Sequence, residues 1–142
     1  MTADCLPILL CSHTGDRVAA VHAGWKGLVA GVIETAVAAL GSVPMLAWLG
    51  PAIGPDAFEV GDEVRAAFLR NDTEFARGFR AIPGGKWLAD LSLLAHVILN
   101  RLQVTEIYGG GHCTFTNTSD FFSYRRDGVT GRMATLIWRE PQ

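Results

Sequence analysis

Charged residues are scarce in this sequence, and neither sign predominates. Asp, Glu, Lys and Arg make up 18% of the 142 residues, and the formal net charge is −2. In an ordinary globular protein they make up about a quarter. Nucleic acids and anionic membranes are bound mainly through an excess of Lys and Arg, which this chain lacks. The composition therefore gives no reason to expect nucleic acid or a membrane as a partner.

Long hydrophobic runs and cysteine frameworks are also missing. No apolar run reaches the length of a membrane span, and the stretch Leu28–Leu40 is interrupted by Glu34. Residues 1–12 have no basic segment of the kind that opens a secretory signal peptide. The three cysteines are odd in number and have no framework spacing. Reduced thiols in a cytoplasmic protein agree best with this pattern.

Apolar residues, in contrast, are abundant. They form 49% of a chain that is long enough to bury a core as one domain. Such an excess suits a polypeptide that packs against something else. The candidates for this packing partner are a further segment, a second copy of the chain in a homo-oligomer, or a separate partner chain.

Hydrophobic periodicity predicts strands that alternate with helices. The opening residues 5–12 and 17–23 are rich in β-formers on either side of the polar turn Thr14-Gly15-Asp16, which indicates a β-hairpin. The predicted helices are Leu28 to Leu40, Asp62 to Leu69, and Leu91 to Leu102 with Asp90 as its cap. The further predicted strands or extended segments are 46–49, 57–60, 86–90, 106–108, 121–124 and 133–138. The pattern predicts an α/β (α+β) fold with a layered mixed β-sheet flanked by helices.

The hairpin brings two chemically active side chains onto one face. If the bend centres near Thr14, Pro7 lies opposite His22, and Cys5 shares the face of His22. A thiol and an imidazole so placed are able to bind a metal or to form a nucleophile–base pair. The alternative is a buried cysteine beside a hydrogen-bonded structural histidine.

Several sequence words resemble one family, the bacterial and animal polyphenol oxidase (laccase-like) proteins, whose members have been reassigned as purine nucleoside phosphorylases. The matching words are TADCLP (2–7), AVHAGWKG (20–27), AWLGPAIGPDAFEVGDEV (47–64), KWLADL (86–91), GGHCTF (110–115) and FFSYRRDGVTGRMATLIW (121–138). They cover nearly the whole chain in family order. The resemblance implies a layered α/β fold, and purine nucleosides and phosphate as substrates.

The resemblance also implies a metal site. It assigns Cys5 and His22 as ligands, with zinc as the expected metal and copper as the alternative, and places a third histidine ligand in a segment before TADC that has no counterpart here. Residues 1–142 are therefore expected to be a single domain, the C-terminal portion of a longer family domain. Of the local histidines, His13 and His112 are the candidates for a third ligand. Four histidines do not support a multicopper laccase.

Other residues in the matching words carry further hypotheses. Asp4 is able to orient a ligand or act as a base, although hydrogen bonding in the turn is the alternative. Arg125, Arg126 and Arg132 form a basic cluster suited to phosphate, or else a solvated loop. Ser123 and Tyr124 are candidates for contacts with ribose or base. Trp25, Phe121 and Phe122 are able to stack a purine, although aromatic residues more often lie in the core.

Three functions remain open on this basis. The first is phosphorolysis of inosine or adenosine, with adenosine deamination as a related activity. The second is a cysteine hydrolase that uses Cys5 as nucleophile and His22 as base. The third is an incomplete, inactive domain that lacks its third metal ligand. The laccase-like polyphenol oxidase activity is the alternative that the older family name suggests.

Overall fold

The main sheet has four strands and opens with the predicted hairpin. The computed structural model describes residues 1–140. The strands of this sheet are β1 (Leu6–Ser12), β2 (Val18–Ala23), β3 (Met45–Leu49) and β7 (Glu106–Gly109), in the order β2-β1-β3-β7. Only the pair β3–β7 is parallel, so the sheet is mixed as predicted. Pro7 pairs with His22, which confirms the predicted register.

A second, smaller sheet was not predicted. It is antiparallel and consists of β4 (Glu59–Val60), β5 (Phe79–Ile82) and β6 (Lys86–Ala89), in the order β4-β6-β5. The turn between β5 and β6 contains Gly84 and Gly85, both at positive φ. Ala89 donates its N–H to the carbonyl of Phe58 and so links this sheet to the segment that follows β3.

Helices alternate with the strands along the chain. They are α1 (Trp25–Val29), α2 (Val32–Leu40), α3 (Asp62–Asn71), α4 (Leu91–Arg101) and α5 (Tyr124–Asp127), with a 3₁₀ helix at Thr73–Gly78. The predicted helix Leu28 to Leu40 is interrupted at Gly31, whose φ of 82° is a left-handed conformation that glycine adopts without strain. Asp90 caps α4 as predicted, because its carboxylate accepts from the N–H of Leu93 at 2.9 Å. Within residues 1–140 no helix has the length and apolarity to span a membrane.

The core lies on one face of the main sheet. Leu6, Ile8 and Leu10 alternate along β1 and are fully buried with residues of the helices such as Ile33 and Leu94. Helix α2 packs directly on β2 and α4. The opposite face of the sheet carries Leu9, Trp48 and Tyr108 and has no helix over it among the described residues.

One predicted strand is wrong. Residues 133–138 form no strand: Met133 makes one isolated bridge with Thr2, and the rest of the segment has no ladder partner in the part of the chain that the structure describes. A strand needs a neighbour to accept its hydrogen bonds, and a period-2 sequence alone does not provide one. The segment 121–124 was predicted as extended: Ser123 has an extended backbone and caps α5 with its hydroxyl, whereas Tyr124 already belongs to that helix.

Candidate active site

Cys5 and His22 converge on one point in space. A Cβ built on Gly24 would lie 2.8 Å from Sγ of Cys5 and 4.0 Å from Nε2 of His22. Gly24 follows β2 directly and precedes α1, so the chain turns away at this point and leaves the space beside the two side chains open. The absence of a side chain at Gly24 is what allows the thiol and the imidazole to face a common volume.

The thiol of Cys5 is held in its protonated form. Burial raises the pKa of this thiol, the negative charge of Asp4 raises it further, and the positive charge of Arg132 opposes them. A thiolate nucleophile needs the opposite shift, towards a lower pKa. Binding to a metal cation would supply the missing positive charge, because a coordinating thiol is deprotonated.

Asp4 is a structural support for this site. Its Oδ1 accepts from the hydroxyl of Thr114 at 2.6 Å, and its Oδ2 accepts from the backbone N–H of Arg125 at 2.6 Å. Its own carbonyl accepts from the N–H of Ile53 at 2.9 Å. The residue is buried and has a φ of 89°, which is uncommon for a residue other than glycine. Both carboxylate oxygens are thus occupied, and Asp4 fixes three segments around Cys5.

A cavity of about 210 Å³ opens beside Cys5. Its lining combines aromatic rings, the positively charged side chain of one arginine, and the two residues that come directly before β1. The lining residues are Ala3, Asp4, Cys5, Trp25, Ile53, Phe58, Leu91, Tyr124 and Arg125. Such a mixture of apolar walls and a few polar groups is typical of small-ligand sites.

The two adjacent arginines differ in role. The guanidinium of Arg125 lines the cavity, lies over the ring of Phe58, and donates from one nitrogen to the carbonyl of Glu59 at 2.8 Å. The guanidinium of Arg126 instead donates to the carbonyls of Thr114, Phe115 and Phe121 at 2.8 to 3.1 Å and pairs with a neighbouring aspartate. Arg126 therefore holds the loop together, and only Arg125 presents charge to the cavity.

The remaining candidate binding residues differ in exposure and position. Tyr124 is 59% exposed and lines the cavity. Ser123 is fully buried, and its hydroxyl accepts from the N–H of Arg126 at 3.2 Å. The predicted ligand contact of Ser123 does not agree with this position. Arg132 lies near the site, with its guanidinium 5.7 Å from the ring centre of Tyr124.

The donor set is short of a complete metal centre. Among residues 1–140 no group of three or more His, Cys, Asp or Glu side chains is arranged to hold a metal ion. A catalytic zinc needs about three protein ligands. His13 pairs with Glu106 at 3.0 Å on the sheet, and His112 packs against the ring of Phe121. Neither histidine completes the pair of Cys5 and His22, so the described residues do not form a full zinc or copper site.

Fold and site together define an α/β protein with a thiol–imidazole pair beside an aromatic cavity. Residues 1–140 match the family model described as multi-copper polyphenol oxidoreductase laccase, and the chain belongs to that family. It is 54% identical over 140 residues to a protein of Escherichia coli strain K12 named purine nucleoside phosphorylase YfiH, and 54% identical to one of Pseudomonas aeruginosa that is also named a purine nucleoside phosphorylase.

Solved structures agree with this assignment. A Neisseria meningitidis protein that is 55% identical superimposes with a TM-score of 0.96 over 99% of this chain and 59% of its own. YlmD from Geobacillus stearothermophilus, 27% identical, superimposes with a TM-score of 0.81. The chain spans 57% of the length of the E. coli relative and 58% of the P. aeruginosa relative. A large part of each relative therefore has no counterpart in the matched region.

Sequence reasoning missed Phe58 as a cavity residue. It lies in the segment 47–64, which also contains Trp48, and only the folded chain places the ring of Phe58 beside the guanidinium of Arg125. The signal that was available is an aromatic residue that follows a Gly/Pro loop after a buried strand, a position where binding residues are common.

Proposed function

We propose that the cavity beside Cys5 binds a purine nucleoside, and that phosphate cleaves its glycosidic bond there. One observation carries this proposal: the thiol of Cys5, three aromatic rings and one arginine that does not hold the loop together line a single cavity, and the imidazole of His22 lies close to the same thiol. The names of the relatives support purine nucleosides as the substrate class. The reduced thiols favour the cytoplasm as its location.

The aromatic residues are suited to a purine base. Trp25, Phe58 and Tyr124 line the cavity, and stacking on such rings is worth about 1 to 3 kcal/mol per base. Phe58 is buried, whereas Tyr124 is mostly exposed. The predicted stacking by Phe121 and Phe122 is not part of this proposal, because neither ring lines this cavity.

Arg125 is suited to phosphate. A guanidinium has about five N–H donors, and one nitrogen of Arg125 is engaged with the carbonyl of Glu59. The backbone N–H of the same residue is held by Asp4, so the side chain starts from a fixed position. Bidentate pairing of arginine with phosphate oxygens would orient the nucleophile within the cavity.

The reaction is a substitution at the anomeric carbon. An oxygen of phosphate forms a bond to C1′ of the ribose while the bond from C1′ to the purine nitrogen breaks. The electron pair of that bond leaves with the base, which takes up a proton, and the products are the free base and ribose 1-phosphate. Arg125 would stabilise the phosphate charge, and the aromatic walls would exclude water that competes as the nucleophile.

Cys5 and His22 are proposed as two ligands of a metal ion. Sulfur and imidazole nitrogen suit zinc, with copper as the alternative. A third ligand would have to come from outside the described residues, and a bound zinc would supply Lewis acidity beside the substrate.

The alternative functions have weaker support. The raised pKa of Cys5 opposes a cysteine hydrolase with a thiolate nucleophile. A multicopper laccase needs several copper centres with many histidine ligands, and this sequence has four histidines in all. An inactive, incomplete domain is the alternative, and an assay for release of the free base distinguishes it from the enzyme.

Two substrates test the proposal. The chain is incubated with phosphate and either inosine or adenosine, with and without added zinc, and the products are separated by chromatography. Release of hypoxanthine or adenine that depends on phosphate is expected, whereas conversion of adenosine to inosine would indicate deamination. Arg125→Gln should raise the KM for phosphate at least about 10-fold, and Arg77→Gln, on an exposed helix, is the matched control. If neither base appears under any condition, the chain alone is not a phosphorylase.

A further inference from the structure

Each of the three aromatic rings that line the candidate cavity has a cation beside it. The contacts, measured to the ring centres, are Lys26 on Trp25 at 5.7 Å, Arg125 on Phe58 at 5.4 Å and Arg132 on Tyr124 at 5.7 Å. We call Lys26, Arg125 and Arg132 the rim cations. All three are exposed, whereas Phe58 is buried. Positive charge therefore lies next to each aromatic wall of the cavity.

The rim cations are not neutralised by carboxylates. None of them forms a salt bridge within residues 1–140. The carboxylates next to Arg125 in the fold or in the sequence have other partners, because Glu59 pairs with Lys86 and Asp127 pairs with Arg126. The carboxylate of Asp4 belongs to the cavity lining, but it is buried and both of its oxygens accept hydrogen bonds. The cavity thus has three cations against one buried carboxylate, which gives it a positive potential.

The two rim arginines are anchored in the same way, each through one terminal nitrogen. That nitrogen of Arg125 donates to the carbonyl of Glu59 at 2.8 Å. The corresponding nitrogen of Arg132 donates to the carbonyls of Thr130 and Gly131 at 3.0 and 2.9 Å. A guanidinium held through one nitrogen is fixed in place and keeps its other N–H donors for phosphate oxygens.

We propose that this cavity binds a purine nucleoside 5′-monophosphate, with the base against the aromatic walls and the phosphate on the rim cations. The inference rests on the proposed function, because that function assigns the purine base to the same cavity. An uncharged nucleoside makes use of the rings alone, and free phosphate makes use of the cations alone. A nucleotide joins both groups in one molecule, so it would compete with the nucleoside and with phosphate.

The charge at the rim predicts the strength of the effect and its response to salt. A phosphate monoester carries about two negative charges at neutral pH. Exposed charges attract it over about 10 Å at 0.1 M salt but only over about 3 Å at 1 M salt. We therefore expect the nucleotide to bind at least about 10-fold more tightly than the nucleoside at low salt, and this preference to shrink at about 1 M salt.

Calorimetric titration of the 142-residue chain tests the proposal. The probes are AMP, adenosine, ribose 5-phosphate and inorganic phosphate, each in the presence of a chelator so that no metal ion bridges protein and phosphate. AMP should bind more tightly than each of the other three. Equal affinity for AMP and adenosine would overturn the proposal. Affinity for ribose 5-phosphate or phosphate as high as that for AMP would also overturn it, because the base would then contribute nothing.

Substitutions at the rim show whether these cations hold the phosphate. Lys26→Gln and Arg132→Gln should each lower the affinity for AMP, relative to that for adenosine, at least about 3-fold. Arg70→Gln is the matched control, because Arg70 is an exposed cation near the end of α3 that does not line the cavity. Circular dichroism of each variant confirms that it is folded. An unchanged ratio of the two affinities in both rim variants would show that the phosphate is not held at the rim.

The binding data also separate this inference from the proposed enzymatic function. Tight binding of AMP without release of base from inosine or adenosine would support the nucleotide site and contradict the phosphorylase. Release of base together with equal affinity for AMP and adenosine would support the phosphorylase and contradict the nucleotide site. No binding of either ligand would overturn the nucleotide site, whatever the assay of base release shows.

Discussion

The carboxylate of Asp4 and the hydroxyl of Thr114 form a buried hydrogen bond of 2.6 Å between residues that are 110 positions apart in the sequence. Thr114 is fully buried, and its carbonyl accepts from Arg126. The loop that carries Thr114 is thereby fixed to the residue that precedes Cys5. The position of the candidate thiol thus depends on contacts made near both ends of the chain.

Removal of the Thr114 hydroxyl should destabilise the fold without changing its shape. In Thr114→Val the Asp4 oxygen loses its partner inside the protein, which costs about 1 to 3 kcal/mol of the free energy of unfolding. Urea unfolding measures this loss, and Thr118→Val, at an exposed position, should change stability by less than about 0.5 kcal/mol. Equal stability of both variants would show that this hydrogen bond does not support the fold.

A methyl group at position 24 should disturb the thiol–imidazole pair. The Cβ of Gly24→Ala would lie 2.8 Å from Sγ of Cys5, so the thiol must move. We expect zinc affinity, measured by competition with a chelating dye, to fall about 10-fold or more. Gly111→Ala, where a Cβ meets no atom within 4 Å, is the matched control. Unchanged zinc affinity in the Gly24 variant would mean that Cys5 and His22 do not bind the metal together.

The pKa of the Cys5 thiol should lie above that of an ordinary cysteine, and the pKa of the Cys113 thiol should lie below it. Burial and Asp4 raise the pKa of Cys5. For Cys113, burial alone would raise the pKa, but hydrogen bonds from Thr116 and from the N–H of Gly54 outweigh it and lower the pKa. Iodoacetamide alkylation, followed for each cysteine by mass spectrometry in the presence of a chelator, should therefore have a lower pH midpoint at Cys113.

The raised pKa of Cys5 also makes the stability of the fold depend on pH. Because the folded state binds the proton of Cys5 more tightly than the unfolded state, the stability that this proton contributes is present below the unfolded pKa and is lost as the pH rises through the folded pKa. Cys5→Ser should show a smaller decline of stability at alkaline pH than the parent chain. An identical decline in both proteins would contradict the shift.

Arg126 should act through the loop and not through phosphate. In Arg126→Gln the carbonyls of Thr114, Phe115 and Phe121 lose a charged donor, so the segment 112–126 should be cleaved faster by limited proteolysis. The free energy of unfolding should also fall, because three carbonyls lose a charged donor. Arg77→Gln, which removes only a surface ion pair, should have little effect on either measurement. A proteolysis rate equal to that of the parent would contradict this role.

The hairpin and its register could be predicted from sequence because both are local. Period-2 alternation and a polar turn determine which residues of β1 and β2 face each other, and hence that Cys5 and His22 share a side. The cap of α4 by Asp90 is local in the same way. These contacts involve residues near in sequence, so no knowledge of the tertiary fold is needed.

The failures come from contacts between distant residues. The interruption at Gly31 was missed because a single glycine is tolerated in a helix and its φ depends on how α1 and α2 pack. The segment 133–138 has the sequence of a strand but no partner among the described residues other than Thr2. The different roles of Arg125 and Arg126 depend on where the carbonyls of the 114–121 loop lie, which the sequence does not indicate.

The bridge between Thr2 and Met133 has a mechanical consequence. Thr2 and Met133 exchange two backbone hydrogen bonds, of 2.9 and 2.8 Å, and Thr2 is only three residues before Cys5. If the N- and C-terminal ends of the chain were pulled apart, these two hydrogen bonds would bear the force before the β1–β2 hairpin did. Stretching in an optical trap would therefore distort the thiol centre at forces that leave the helices and the core intact.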